Sequence, residues 1–323
     1  RFYGLYNQST EQRHPAYSGS TYLYWALIGR ICRGRDVILS GGAKISCGGT
    51  IMNKIGIIQG RLSPRPYPLI QHFPENTWKQ EFVYAREIGY DFIEWIFEED
   101  NFEENPIWTT EGRKQIKEQI LKTGVTVDSV CADFFLENPF FRRKNYSLET
   151  HIEKFKKLIQ YTAEIGAKVI LLPVLENAEI HNKAEAEILI KAMKQCIDIL
   201  EDCNVDVGFE TELEATQYYR LAECVGSKRV GIYYDTGNCA SKGYDMKKDM
   251  EVLKPLLIQV HVKDRLVGGG SVFLGTGDVN FKEGVPYLQD NGFQGSYVLQ
   301  TYFEDDYLDT AKQNLDYMRK LVR

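Results

Sequence analysis

Three residues in the middle of the sequence have side chains that together can hold a metal ion: Glu210, Asp235 and His261. Each directly follows a short run rich in β-branched and aromatic residues. Carboxylate oxygens with one imidazole form a mixed ligand set that suits Mn2+, Mg2+, Co2+ or Zn2+. Such an ion polarises a carbonyl, and a carboxylate beside it is suited to removing a proton from the neighbouring carbon. The residue types therefore indicate metal-assisted chemistry on a carbonyl compound.

These side chains meet only if the runs before them are neighbouring strands of one parallel sheet. Short runs of this composition between helical patterns are typical of buried parallel strands. In parallel α/β folds the carboxyl ends of the strands open onto one face, and ligands bind there. We therefore expect Glu210, Asp235 and His261 to converge, although about 50 residues separate the first from the last.

Each of the three residues also has a structural interpretation. Acidic residues at strand ends often cap the following helix, and the sequence from Asp235 to Asn238 is also a good turn sequence. A lone histidine after an apolar strand is more often a satisfied structural group than a ligand. The metal interpretation depends on the three residues falling at equivalent points of three successive strands.

From Met52 onwards the chain alternates a strand pattern with a helix pattern eight times. We expect long helices at about 183–202 and 305–321, and strands at 55–58, 91–96, 125–130, 168–172, 205–209, 230–234, 257–260 and 295–299. Eight strand–helix units in this length predict a (β/α)8 TIM barrel over residues 52–323, which we expect to be the catalytic domain. A doubly wound open sheet is the alternative, but the first strand is not followed by a G-x-G-x-x-G loop.

Residues 1–51 differ from the rest of the chain. They are rich in Gly, Ser, Tyr and Arg and have neither a sustained helical period nor a clean alternation. The one apolar run, 22–28, is followed rather than preceded by arginines, which is not the order of a signal peptide. We interpret residues 1–51 as an N-terminal appendage, and we expect it to be poorly ordered.

The composition restricts the setting and the partners. A net charge of −6 gives no reason to expect nucleic acid or an anionic membrane as a partner. The seven cysteines form no CxxC pair, which is typical of free thiols in a reducing cytoplasm. The sequence has no apolar run of the ~20 residues that cross a bilayer. We therefore predict a cytoplasmic protein with a small-molecule partner.

Several segments together resemble a known family, the xylose-isomerase-like TIM barrels, and within it the sugar and sugar-phosphate isomerases and epimerases. The Asp-Thr-Gly-Asn and His-Val-Lys-Asp segments, one strand apart, are the most specific of them. The resemblance covers about residues 52–323 and is carried by 56–62, 92–95, Glu210, 234–238, 261–264 and 275–278.

The resemblance implies a divalent ion, Mn2+ before Mg2+, Co2+ or Zn2+, held at the ends of strands five to eight. The implied ligands are Glu210, Asp235, His261 and Gln300. Gln300 departs from the family, which has a glutamate at that position. An amide oxygen still ligates a metal, but it takes up no proton, so two-base epimerisation needs another group.

The resemblance also implies roles around the metal. Glu210 would remove the proton next to the carbonyl and so form an enediolate. Strand alternation places Glu212 and Lys263 nearer the substrate as further catalytic groups, and Glu212, Lys263 or Glu94 would have to replace the second base of an epimerase. The implied substrate contacts are Glu94, Asn238 and Arg265, and the substrate is a sugar or a sugar phosphate. Members of the family are often homo-oligomers, and we include that state among the expectations.

Other functions remain open at this point. Because of Gln300, the barrel is alternatively a catalytically impaired protein that binds a sugar or a protein partner. An inosose-type dehydratase is another alternative, since dehydration also begins with proton removal next to a carbonyl. An endonuclease IV-like nuclease would need a histidine-rich zinc cluster. The chain has five histidines, of which only His261 clearly follows a strand.

Overall fold

Eight parallel strands close into a barrel in the computed structural model, which describes residues 37–38, 44–45, 53–65, 71–143 and 146–322. The chain divides into two units, Arg1–Ile51 and Met52–Arg323. In the first unit, the strands Val37–Ile38 and Lys44–Ile45 pair antiparallel. The predicted poor order of residues 1–51 otherwise concerns positions outside the described residues.

The barrel strands follow the predicted runs to within two residues at their start and end. They are β1 Ile55–Ile58, β2 Phe92–Ile96, β3 Thr126–Cys131, β4 Val169–Pro173, β5 Asp206–Glu210, β6 Val230–Asp235, β7 Leu257–Val262 and β8 Tyr297–Leu299. Strand β8 pairs in parallel with both β7 and β1, and this closes the sheet. The predicted (β/α)8 TIM barrel is therefore confirmed, and the open doubly wound sheet is wrong.

Helices connect the strands and cover the barrel. They are α1 Trp78–Ile88, α2 Thr110–Thr123, α3 Phe134–Glu137, α4 Leu148–Glu164, α5 Lys183–Lys194, α6 Ile197–Cys203, α7 Ala215–Glu223, α8 Thr236–Ser241, α9 Met246–Leu253, α10 Phe281–Asp290 and α11 Tyr307–Arg319. The helix predicted over 183–202 is therefore two helices, α5 and α6. Neither Gly nor Pro marks the break, and the side chain of Cys196 is fully buried there. Periodicity alone does not reveal such a break.

Strands β5 and β6 lie close together because β5 contains a glycine. A Cβ atom on Gly208 would lie 2.7 Å from the Cβ of Tyr233 in β6. That distance is shorter than van der Waals contact, so only glycine leaves room for the tyrosine. The Tyr233 ring in turn packs edge-on against the His261 ring, with 4.6 Å between the centroids. The glycine thus helps to fix the position of one of the candidate ligands.

The loop after β7 is held by one buried carboxylate. Asp264 accepts backbone hydrogen bonds from Gly275 at 2.8 Å, Gly277 at 2.9 Å and Val279 at 3.2 Å. A short antiparallel hairpin, Asp264–Arg265 with Ser271–Val272, lies within this loop. Asp264 is fully buried, and its three accepted bonds hold the loop in position.

The described helices include none with the length and apolar composition needed to cross a membrane.

Candidate active site

The ends of β5, β6 and β7 bring Glu210, Asp235 and His261 together. One ligand atom from each residue lies within 4.8 Å of the other two, and all three residues are buried. The Nδ1 atom of His261 is 3.7 Å from Oε1 of Glu210 and 3.9 Å from Oδ2 of Asp235. Equivalent positions on successive parallel strands produce this convergence, as the sequence pattern predicted.

A fourth buried residue, Glu94 at the end of β2, determines how the His261 ring presents its nitrogens. Oε1 of Glu94 is 2.5 Å from Nε2 of His261. A carboxylate only accepts hydrogen bonds, so Nε2 carries the proton and Nδ1 faces the other two ligands. Carboxylate–histidine pairs of this kind orient metal-ligating imidazoles and raise their basicity.

Glu94 is held in place by two hydroxyl groups. Ser129 donates to its Oε2 at 2.6 Å, and Tyr233 donates to the same oxygen at 2.5 Å. The carboxylate is fully buried and does not line the cavity described below. Oε1 of Glu94 is bonded to His261, and the expected contact between Glu94 and the substrate stays a prediction. Glu94 is placed to position His261.

Asp235 combines the two roles that the sequence left open. Its Oδ1 accepts a hydrogen bond of 2.7 Å from the backbone N–H of Asn238 and thereby caps helix α8. Its Oδ2 is directed toward His261 and also forms an ion pair of 2.9 Å with Nζ of Lys263. The helix cap fixes the carboxylate and leaves the second oxygen for a cation.

The electrostatics of the cluster attract positive charge. Burial lowers the pKa of His261, but the negative charges of Glu94 and Glu210 outweigh this and raise the pKa to about 10. Burial, together with the charge of Asp235, raises the pKa of Glu210 to about 7. Burial opposes ionisation of Asp235, yet Lys263 and His261 hold its pKa below the usual value. A cation bound beside the imidazole would therefore reduce the electrostatic repulsion among the three acidic groups.

The donor set fits a divalent metal ion. Nδ1 of His261 is buried and has no hydrogen-bond partner among the described residues. Such a buried orphan nitrogen is costly unless a ligand completes it. Two carboxylates and one imidazole also match the oxygen and nitrogen ligands of Mn2+, Co2+ or Zn2+.

The fourth predicted ligand, Gln300, lies just beyond β8 and belongs to a chain of polar contacts. Its Oε1 accepts a hydrogen bond of 2.7 Å from Nζ of Lys263. Its Nε2 donates to Oε1 of Gln71 at 2.6 Å, and Gln71 donates to Asp133 at 2.6 Å. Lys263 therefore bridges Asp235 and Gln300, and the amide oxygen predicted for the metal is bonded to an ammonium.

Two of the predicted substrate contacts line the cavity beside the cluster. Asn238 donates to Oε1 of Glu210 at 3.3 Å and accepts from Arg265 at 3.1 Å. Glu212, predicted to be catalytic, lies beside Arg265, with 4.0 Å between its Oε1 and Nη1 of the arginine. Its carboxylate pairs with Lys242 at 2.8 Å, and it does not line the cavity. Strand β5 ends at Glu210, so the alternation that would place Glu212 on the same side as Glu210 does not continue to it.

A cavity of about 650 Å3 opens above the cluster, which is large enough for a sugar. Glu210, Asn238, Lys263, Arg265 and Gln300 contribute to its walls. Gln71 is a wall residue that sequence reasoning missed. It lies in the loop after β1, where no periodic pattern distinguishes one polar residue from another.

Comparison with known proteins supplies the family. A sequence model of the xylose isomerase-like TIM barrel family matches residues 82–321. The L-ribulose-5-phosphate 3-epimerase UlaE of Salmonella heidelberg (strain SL476) is 24% identical over 243 residues, which cover 71% of this chain and 84% of that protein.

Two solved structures establish the same fold. D-psicose 3-epimerase from Clostridium cellulolyticum H10, solved with D-tagatose, has a TM-score of 0.66 at 15% identity, over 83% of this chain and 99% of that one. The IOLI protein with a bound zinc atom has a TM-score of 0.63 at 17% identity, over 83% and 96%. With the closed barrel and the cluster at its carboxyl end, the match over most of the sequence shows that this chain belongs to the xylose isomerase-like TIM barrel family.

Proposed function

We propose that this chain is a divalent-metal-dependent isomerase or epimerase that acts on a sugar. The observation that carries the proposal is the cluster of Glu210, Asp235 and His261, with Nδ1 of the histidine directed at both carboxylates. The names of the relatives support it, because UlaE of Salmonella and the Clostridium protein are both sugar 3-epimerases. A bound divalent ion would polarise the substrate carbonyl and stabilise the negative charge that develops beside it.

Glu210 is the proposed base. Its carboxylate lines the cavity, and its pKa, raised mainly by burial to about 7, is matched to proton transfer near neutral pH. We propose that an oxygen of this carboxylate takes the proton from the carbon next to the carbonyl, giving an enediolate. Asn238 donates to Oε1 and thereby orients the carboxylate.

The return of the proton separates isomerisation from epimerisation. An isomerase delivers the proton from the same side to the former carbonyl carbon while a proton moves between the two enediolate oxygens, and Glu210 alone suffices for the carbon-to-carbon transfer. An epimerase returns it on the opposite face, where relatives of this family use a second glutamate and this chain has Gln300. Nζ of Lys263, 2.7 Å from the Gln300 amide oxygen, is the proposed proton donor on that side.

Proton exchange with solvent tests the proposal. The purified protein, loaded with Mn2+, is incubated in D2O with L-ribulose, D-psicose and D-fructose and with their terminal phosphates, and deuterium at the carbons flanking the carbonyl is followed by NMR. We expect exchange with at least one ketose and its loss on chelation of the metal. No exchange with any of them, in protein shown to contain metal, would contradict the proposal.

A second candidate function is a sugar-binding barrel without turnover. The observation that favours it is the ammonium of Lys263, which contacts Oδ2 of Asp235 and Oε1 of Gln300 and so competes with a metal for two of the predicted ligands. In that case the protein would bind a ketose without metal, and a Gln300→Glu variant would gain both metal and exchange. Metal analysis of the wild-type protein distinguishes the two functions.

A further inference from the structure

The walls of the cavity above the cluster carry unequal charge. Seven carboxylic acids line it against three basic side chains. Besides Glu210, these acids are Glu98, Glu99, Asp100, Asp133, Glu137 and Glu176. They come from the loops after β2, β3 and β4, on a different side of the barrel from the candidate ligands. A bound divalent ion adds two positive charges and still leaves the acidic groups in the majority.

Each basic residue of the cavity is already engaged by acceptors of the protein itself. Lys263 contacts Asp235 and Gln300, as described above. Arg265 donates to Asn238 at 3.1 Å and, through Nε and Nη2, to the backbone oxygen of Gly269 at 3.2 and 2.9 Å. Arg61 donates to the backbone oxygen of Thr301 at 3.0 Å and stacks on the ring of Phe303. A phosphate group would have to take these cations from their present partners.

Hydrogen-bonding capacity points in the same direction as charge. An ionised carboxylate only accepts hydrogen bonds, and so does a phosphate dianion, so the two cannot satisfy each other. A sugar hydroxyl donates, and the acid-rich side of the cavity offers acceptors to several hydroxyls. Like charges placed face to face also act against the wrong ligand.

We propose that the cavity selects an uncharged ketose and rejects its terminal phosphate, because an acceptor-rich acidic wall faces the ligand cluster and each basic lining residue is bound to the protein. This proposal rests on the proposed function for the position of the substrate. The proposed substrate is a free ketose, whereas the name of the Salmonella relative gives a phosphorylated one, L-ribulose 5-phosphate.

Matched pairs of substrates test the selection. Deuterium exchange gives kcat/KM for L-ribulose and L-ribulose 5-phosphate, and for D-fructose and D-fructose 6-phosphate, with the Mn2+-loaded protein. We expect the free ketose of each pair to be preferred by at least about tenfold. Asp100→Lys, at an exposed position of the acidic wall, is expected to move the preference toward the phosphate by at least about threefold.

Glu223→Lys is the matched control, because it makes the same charge change at an exposed position at the end of α7, outside the cavity. It should leave both kcat/KM values unchanged. A preference for the phosphates would overturn the proposal and leave the proposed function standing. If no ketose exchanges, calorimetric binding of each pair decides the selection on its own: tighter binding of the free ketose supports it, and tighter binding of the phosphate overturns it.

Discussion

The predicted metal ligands on β5, β6 and β7 differ in chemical type and in bonding from the predicted ligand beyond β8. On β5 to β7 the residues are two carboxylates and an imidazole, buried and backed by Glu94, and Nδ1 of His261 has no hydrogen-bond partner among the described residues. Beyond β8 the corresponding residue is Gln300, an amide whose oxygen is bonded to the ammonium of Lys263. The first group of residues attracts a cation, whereas the second carries one of its own. The difference teaches why we propose a metal at the ends of β5 to β7 together with a proton donor, Lys263, in place of the second glutamate.

The largest expected effect is the loss of proton exchange when Glu210, the proposed base, is changed. Glu210→Gln should lower exchange of the substrate proton by about 10²–10⁴-fold, because the amide accepts no proton at the point where the carbanion forms. Exchange is measured by NMR in D2O, and bound metal is measured in the same sample. Glu214→Gln, at an exposed position in the same loop, is the matched control and should retain full activity. Exchange that survives in Glu210→Gln would transfer the role of base to another residue.

The second largest expected effect is on metal affinity when Glu94, the carboxylate bonded to His261, is changed. Glu94→Gln should weaken Mn2+ binding by about 10- to 100-fold, since it removes the charge that makes His261 a strong ligand. The affinity is measured by titrating the metal-free protein and following free Mn2+ by electron paramagnetic resonance. Asp249→Asn removes another buried carboxylate, bonded to Tyr234, and should leave the affinity unchanged. Equal losses in both variants would mean that Glu94 acts only on stability.

The smallest expected effect is on metal affinity when Gln300, the residue after β8, is changed. Gln300→Glu should strengthen Mn2+ binding by about tenfold, because ligand charge tunes the affinity of oxygen sites. The new carboxylate would still pair with Lys263, and this limits the gain. Gln294→Glu, exposed before β8, is the control for added charge. Unchanged affinity in Gln300→Glu would show that Lys263 keeps this position out of the metal site.

Much of the barrel could be predicted from the sequence because its strands are buried on both sides. The run 230–234 is continuous and apolar, and it ends where the polar residue Asp235 reaches the open end of the barrel. The break between α5 and α6 was not predictable, because it is decided by the packing of Cys196 and not by a Gly or Pro. Barrel closure itself depends on hydrogen bonds between β8 and β1, which are about 240 residues apart.

The site was predictable where strand alternation determines direction and unpredictable where loops determine it. The position of Glu210, Asp235 and His261 follows from their equivalent places on successive strands. Glu94 was expected only as a substrate contact, and its bond to His261 was not predictable, because it depends on contacts across the barrel. Glu212 and Gln71 lie outside the strands, where no period specifies which way a side chain points.

The sequence by itself determined the order of strands and helices, the ligand types and the substitution at Gln300, because all of these are properties of residue type and spacing. Only the tertiary structure decided which nitrogen of His261 is exposed to the cluster, that Lys263 joins Asp235 to Gln300, and that acids dominate the cavity. Those outcomes depend on distances between residues far apart in the chain, and such distances exist only after the barrel has closed.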